Sequence, residues 1–295
     1  MIGSAESFGS AESFGSAESC VLGPQDEPVV RDFLAEHPVD GCLIAARVQA
    51  FGVNGAGGQT GELCAYYGAT GLRAVWLDGP SLILVGDQDE SDRVVEAVVG
   101  RSAAGPRRCS SIVGPAHLVL PAWTALSAKW GRARDVRPDQ PLMALDSTPL
   151  VEPRAEVRRV RRAELDILMP AATAMFREEV GVDPVADRGS AYRARVAELI
   201  DAGRCLAWIE DGQVAFKAEL GAVSDRACQI QGIWVRPDLR GKGIGTSGTA
   251  AVAALALAEV APVVSLYVNH FNAPARAAYA RVGFEQVGTF ASILF

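Results

Sequence analysis

Ile233-Trp234-Val235-Arg236-Pro237-Asp238-Leu239-Arg240-Gly241-Lys242-Gly243-Ile244-Gly245-Thr246 runs from a β-branched segment, through a glycine-rich turn, into an alanine-rich one. Glycines at 241, 243 and 245 remove the Cβ atoms that would hold a ligand away from the backbone. Free N–H groups opening the next helix then form a nest suited to a diphosphate, and Arg240 and Lys242 add positive charge beside it. The run lacks the G-x-x-x-x-G-K-[ST] spacing, which excludes a P-loop. The preceding strand reads as antiparallel, which a dinucleotide-binding βαβ unit would not have.

Upstream, strands are expected at Cys205–Glu210, Gln213–Val223 and Ala227–Val235, with hairpin turns at Asp211-Gly212 and Ser224-Asp225. Before them come a strand at Val157–Val160 and helices at Ala163–Glu179 and Ala191–Ala202. Downstream, helix Gly245–Glu259, strand Val263–Val268, helix Ala273–Val282 and terminal strands over Phe284–Phe295 complete the half. In the last helix, residues 272, 275/276 and 279 share one face, Asn272 is suited to the N-cap, and Gly283 ends the helix.

The first half repeats this order. Helices are expected at Pro28–His37 and Val39–Gln49, then a flexible loop Asn54–Gly61, then strands Glu62–Tyr67, Leu72–Leu77 and Ser81–Val85. Helix Glu90–Val99, strand Cys109–Val113, helix His117–Trp130 and strand Leu142–Leu145 follow, and Asp146–Glu156, with two prolines, reads as the linker. The halves are assigned to 21–150 and 151–295. Residues 1–20, a hexapeptide occurring three times from Gly3 to Cys20, are expected to be a flexible tail, since small polar residues bury too little surface to offset chain entropy.

Arg240-Gly241-Lys242-Gly243-Ile244-Gly245, led in by Val235 and Pro237, resembles the acyl-CoA pyrophosphate loop of the GNAT superfamily of N-acyltransferases. Asn272-Ala273-Pro274-Ala275-Arg276-Ala277-Ala278-Tyr279-Ala280-Arg281-Val282-Gly283-Phe284 resembles that family's N-x-x-A-x-x-x-Y-x-x-x-G-F signature. The resemblance covers nearly half the chain. It implies an α/β (α+β) fold, a mixed and mostly antiparallel central sheet flanked by helices. By element order the first half is similar to a second, degenerate GNAT domain serving as scaffold or closing the acceptor site. Its counterpart of the loop, Val85-Gly86-Asp87-Gln88-Asp89-Glu90-Ser91, has one glycine and three acids, which would repel a diphosphate.

The implied activity is transfer of an acetyl group from acetyl-CoA to a primary amine through a ternary complex, without metal. The acceptor is a small-molecule amine or a protein amino group. Ile233, Trp234, Val235, Arg240, Gly241, Lys242, Gly243, Ile244, Gly245, Thr246 and Asn272 are the expected acetyl-CoA contacts. The pantetheine arm would lie along the backbone at 234–235, and the amide near Val235 would serve the oxyanion. Tyr279 is the candidate acid for the departing thiolate, against a packing or CoA-contacting role.

Many relatives carry a glutamate in the strand before the loop. Residues 227–232 read Ala-Cys-Gln-Ile-Gln-Gly, with no acid. Glu219 on the preceding strand is the nearest candidate base, against a solvated edge carboxylate or a water relay. Glu178 and Glu179 resemble the position that lines the acceptor groove. The alternative is a non-catalytic acyl-CoA-binding sensor; a scaffold that binds no nucleotide is disfavoured by the intact loop.

Composition bounds the remaining classes. In 295 residues, 49% hydrophobic and 21% charged with net charge −7, a packed, soluble, two-domain protein is expected. The acidic balance argues against nonspecific nucleic-acid binding, and no apolar run is long enough to span a membrane. Arg154, Arg158, Arg159, Arg161 and Arg162 read as a solvated linker and strand edge, with an anion- or partner-binding patch as alternative. Cys20, Cys42, Cys64, Cys109, Cys205 and Cys228 show no C-x-x-C pair and read as buried thiols of a reducing, cytoplasmic compartment. His37 and His117 have no partner spacing and read as structural, and His270, at a strand end, reads as a loop histidine without a chemical role. A monomer is favoured, because a duplicated fold supplies internally what a dimer interface supplies elsewhere.

Overall fold

The computed structural model describes residues 19–54, 61–186 and 189–295. The repeat up to Glu18 and most of the loop expected at Asn54–Gly61 lie outside the described residues. The first half comprises β1 (Ser19–Val21), α1 (Glu27–Glu36), α2 (Cys42–Phe51), β2 (Glu62–Gly68), β3 (Gly71–Asp78), β4 (Leu82–Gly86), α3 (Ser91–Ser102), β5 (Ser111–Pro115), α4 (Ala116–Trp130) and β6 (Asp135–Leu145). The second comprises β7 (Arg158–Arg159), α5 (Leu165–Val180), α6 (Gly189–Asp201), β8 (Cys205–Glu210), β9 (Gln213–Val223), β10 (Cys228–Val235), α7 (Ile244–Glu259), β11 (Val264–Tyr267), α8 (Ala273–Val282) and β12 (Glu285–Leu294).

All these strands join one sheet, in the order β1-β2-β3-β4-β5-β12-β6-β11-β10-β9-β8-β7. Only β4 with β5 and β10 with β11 run parallel; the other neighbours are antiparallel. The halves exchange their last strands. After α4, β6 crosses to pair with β11, and after α8, β12 crosses to pair with β5, so the two exchanged strands pair with each other at the centre. The linker near residue 150 therefore separates the halves in sequence while their strands interlock in space.

Helices cover both faces of each half, which the near-continuous apolar strands require. In the first half α1 and α2 pack over Val75, Leu77 and Val85, and α3 and α4 over Trp76, Leu84 and Ile112. In the second, α5 and α6 pack over Cys205, Ala207 and Val214, and α7 and α8 over Phe216, Ile230 and Leu266. Helix α7 approaches closely because Gly248 leaves room for the buried Phe216 ring; a Cβ there would lie 2.7 Å from it. Helix α2 also reaches across the halves, with Cys42 buried against Ala222 and Ala227 and Gln49 accepting from the Asp225 amide at 2.9 Å.

Several sequence expectations need correction. Strand β6 spans eleven residues where only Leu142–Leu145 was expected. Its amino-terminal stretch carries Asp135, Arg137, Pro138 and Asp139, which hide a strand, and a register shift between Phe290 and Ser292 of β12 accommodates the proline there. Cys20 is exposed on β1, unlike the other five thiols. The arginine run lies at a solvated edge of the sheet, as expected, with its charges paired within the chain and not left free for an anion. Arg158 and Arg161 clasp the buried Glu164, Arg159 pairs with Glu259, Arg162 with Asp201, and Arg154 stacks over Trp208 at 4.2 Å. His37 does have partners, Asp40 at 3.2 Å and Asp87 at 3.1 Å, and His270 meets Asp139 at 3.0 Å.

Candidate active site

A cleft opens where β10 and β11 part. The two strands pair only at Cys228 with Val264 and Gln229 with Ser265, after which β10 continues to Val235 without β11 beside it. On its other edge β10 carries a bulge: Gln231 lies opposite Glu219 and Trp234 opposite Lys217, so two residues on β10, Gly232 and Ile233, face one on β9, Ala218. Gly232 takes φ +60° at this point, a conformation that favours glycine. The bulge turns backbone at Gly232 and Ile233 out of the ladder and into the cleft.

Beneath the bulge, Lys217 and Glu219 form a buried ion pair at 2.5 Å. A Cβ on Gly232 would lie 3.2 Å from the Lys217 Nζ and 3.0 Å from Met175 Cε. Glu219 is therefore not the solvated edge carboxylate that was one alternative for it; it is 6% exposed and committed to a lysine. Side chains of alternate strand residues point the same way, which places Lys217 and Glu219 together on one face of β9.

At the mouth, a one-turn 3₁₀ segment at Pro237–Leu239 leads to Gly241 (φ +72°) and Gly243 (φ +78°). A Cβ at either position would meet nothing within 4 Å, and no side chain caps α7. The first-turn amides of Ile244, Gly245 and Thr246 have no intrahelical acceptor, and the helix dipole adds partial positive charge there. Open space and uncapped amides fit a diphosphate. Gly245 sits closer in, where a Cβ would touch Val235 at 3.5 Å.

The flanking side chains are differently engaged. Arg240 donates to the Val235 carbonyl at 3.0 Å and makes a two-point contact with Glu178 at 3.0 and 2.7 Å. Trp234, largely buried, donates its indole N–H to the same carboxylate at 3.1 Å. Lys242 caps the Asp238 carbonyl at 3.0 Å. Asn272 accepts from the Ala275 amide at 3.3 Å as the α8 N-cap, as its position suggests.

Tyr279 of α8 is 9% exposed, in the core cluster that includes Leu266 and Val268, its ring 6.3 Å from that of Phe284. Its hydroxyl has no hydrogen-bond partner among the described residues. Burial, and then the charge of Glu179, raise its pKa, so the phenol stays protonated and can donate. Tyr267 on β11 is pushed up to about 12 by burial and the same carboxylate.

Sequence reasoning missed the contribution of β6. Arg137, from the first half, donates to the Glu179 carbonyl at 2.6 Å, and Arg134 to the Val180 carbonyl at 2.8 Å, so a strand of one half caps the end of α5 in the other. Nothing local in the sequence signals this. Lys217 could have been noticed as one of only three lysines, set in an apolar strand beside Glu219.

Residues 166–284 match the sequence model of the acetyltransferase (GNAT) family, and residues 61–168 match a domain of unknown function, DUF4081. No curated protein matches the chain significantly. Among solved structures, a GNAT-family acetyltransferase from Colwellia psychrerythraea superposes with TM-score 0.57 and 12% identity over 94% of this chain and 99% of its own. A GCN5-related N-acetyltransferase from Sphaerobacter thermophilus gives 0.54 and 18% over 93% and 94%. A Drosophila protein gives 0.64 and 11% over 95% and 99%. The fold is that of the GNAT acetyltransferases. Because these alignments cover nearly all of both chains, the likeness in fold is not confined to the residues that the family model matches. Within the GNAT fold of the second half, the bulge, the β10–β11 splay and the open glycine turn follow one another along β10 into the start of α7.

Proposed function

We propose that the second half transfers an acetyl group from acetyl-CoA to a primary amine in a ternary complex, and that the first half is a degenerate GNAT domain which completes the fold without binding a second CoA. The observation that carries this reading is the conjunction of the splay, the β10 bulge and the uncapped start of α7. The diphosphate would lie against the amides of Gly241 to Thr246, with Lys242 nearby. The pantetheine arm would add as a strand along Ile233, Trp234 and Val235, bringing the thioester to the bulge near Tyr279.

The neutral amine then attacks the acyl carbon. The carbonyl oxygen gathers negative charge, which backbone N–H at the bulge and Val235 would receive. As the C–S bond breaks, its electron pair stays on sulfur, and Tyr279 supplies the proton. Direct transfer needs no covalent enzyme intermediate, which accords with five of the six cysteines being buried. Burial raises Cys42, Cys64, Cys205 and Cys228 to about 12, keeping them as thiols.

Calorimetric titration with acetyl-CoA, paired with thiol release on adding primary amines, tests the reading. One equivalent bound and amine-dependent release are expected; binding without release under any amine would favour the sensor alternative.

A further inference from the structure

Three carboxylates border the cleft, and two are committed. Glu178 holds Trp234 and Arg240, and Glu219 holds Lys217. The third, Glu179, has a carboxylate with no hydrogen bond or ion pair among the described residues; only its backbone carbonyl is engaged, by Arg137. It stands in the last turn of α5, one turn beyond Met175, whose methyl group covers Gly232. Its charge acts on Lys217 and Glu219 beneath the bulge and on Tyr279, which places it near where the acyl carbon would lie.

We propose that Glu179 is the catalytic base of this cleft, taking a proton from the ammonium form of the acceptor, directly or through one water. The proposal rests on the acyl-transfer reading above. The groups that face Glu179 are Arg137 from β6, Lys217 and Glu219 from β9, Tyr267 from β11 and Tyr279 from α8. Glu179 is solvent-exposed at the end of α5. Desolvation by the protein atoms around its carboxyl raises its pKa; Arg137 and Lys217 oppose the shift and Glu219 adds to it. A carboxyl raised toward neutrality is a better match to an amine than an ordinary one.

Proton bookkeeping closes around this pair. Glu179 removes one proton from the ammonium, and the freed lone pair forms the C–N bond. Tyr279 gives its proton to sulfur as the C–S bond breaks. The second nitrogen proton returns to the tyrosinate as the amide forms, and Glu179 releases its proton to solvent. The net products are amide, free CoA thiol and one proton.

The test is a pH profile of kcat/KM for thiol release from acetyl-CoA, with n-butylamine, spermidine and lysine amide as acceptors, for wild type, Glu179→Gln, Glu179→Asp and Glu219→Gln. Glu179→Gln should bind acetyl-CoA within twofold of wild type, release thiol about 10²- to 10⁴-fold more slowly, and lose the acidic limb of the profile. Glu179→Asp should keep that limb at a reduced rate. A fluorinated amine already neutral at neutral pH should lose far less on Glu179→Gln than n-butylamine does, a difference that a merely structural role would not produce. Retention of rate and limb by Glu179→Gln, or their loss in Glu219→Gln alone, overturns the proposal. If wild type binds acetyl-CoA but releases no thiol with any acceptor at any pH, the proposal falls; if wild type does not bind acetyl-CoA, the reading beneath it falls first.

Discussion

The two places where parallel strands part, β4 from β5 and β10 from β11, share a layout and differ in two physical details. In the first half, β4 pairs with β3 in unbroken register from Leu82 to Gly86; in the second, β10 is bulged against β9. The turns begin alike: the Asp87 amide donates to the Arg73 carbonyl and the Arg236 amide to the Ala215 carbonyl, at 3.0 Å each, and neither α3 nor α7 has a side-chain cap. Asp87 is clamped by Arg73 and His37 at 3.1 Å each, and Asp89 by Arg73 at 2.7 Å; Gly241 and Gly243 face open space. A duplicated frame does not carry a duplicated site. One extra residue in a strand and the sign of the charge at a helix start are enough to separate scaffold from groove.

The largest expected effect probes the base of the bulge. Lys217→Met leaves Glu219 buried without a partner and should cost about 3–5 kcal/mol of stability, read as a lower denaturation midpoint. Adding Glu219→Leu should recover much of it. An unchanged midpoint in the single variant would mean that the bulge does not depend on the pair. Among the described residues the ion pairs beside β4, Arg73 with Asp87 and Arg101 with Asp78, are partly exposed, so no single charge removal there should match this loss.

Next is Tyr279→Phe, which keeps the ring and removes the proton donor. Turnover should fall about 10²-fold with little change in acetyl-CoA affinity. The comparison sharpens here, because α4, the counterpart of α8, carries no tyrosine. Wild-type turnover in the variant would reduce Tyr279 to a packing residue.

Gly243→Asp places a side chain and a negative charge at the start of α7, imitating the acidic turn of the first half. Acetyl-CoA should bind about 30-fold more weakly, roughly 2 kcal/mol, with an unchanged circular dichroism spectrum. Calorimetry showing wild-type affinity would break the contrast between the two turns.

The smallest effects are opposite in pH and divide between the halves. In the second half, hydrogen bonds from Arg158 and then Arg161 hold Glu164 well below the usual carboxylate range. Its contribution is present above the unfolded pKa of about 4.3 and disappears as pH falls through the folded value. In the first half, burial alone would lower His37, but Asp40 and Asp87 together raise it. Its contribution is full below the unfolded pKa of about 6.5 and is lost as pH rises through the folded value. Glu164→Gln should therefore flatten the acid side of a melting-temperature profile, and His37→Gln the neutral side, each by under about 1 kcal/mol. Identical profiles for either variant and wild type would show that its pair contributes nothing to stability.

Much of the fold was legible along the chain because its signals are local. Alternating or continuous apolar runs mark β2–β4 and β8–β10, the Asp211-Gly212 turn closes a hairpin with both residues at positive φ, and Asn272 and Gly283 bound α8 as their chemistry requires. The glycine turn after Val235 was legible for the same reason, since backbone freedom and missing Cβ atoms are properties of the residues themselves. Glu179 was named in the groove by position alone, with nothing to distinguish its role from that of Glu178.

What only tertiary structure decided depends on which distant residues meet. The exchange of β6 and β12 brings Arg134 and Arg137 to the end of α5, more than forty residues away in sequence. The buried state of Glu219 depends on Lys217, on the Gly232 bulge above it and on Met175 of α5. Glu178 is bound to Arg240, sixty-two residues on, and Glu179 is left unpaired beside it. Sequence determined the elements, their turns and the diphosphate nest, because each is set by a few adjacent residues. The availability of a carboxylate is set by desolvation and by neighbouring charges, and those are fixed only when the chain has closed around it.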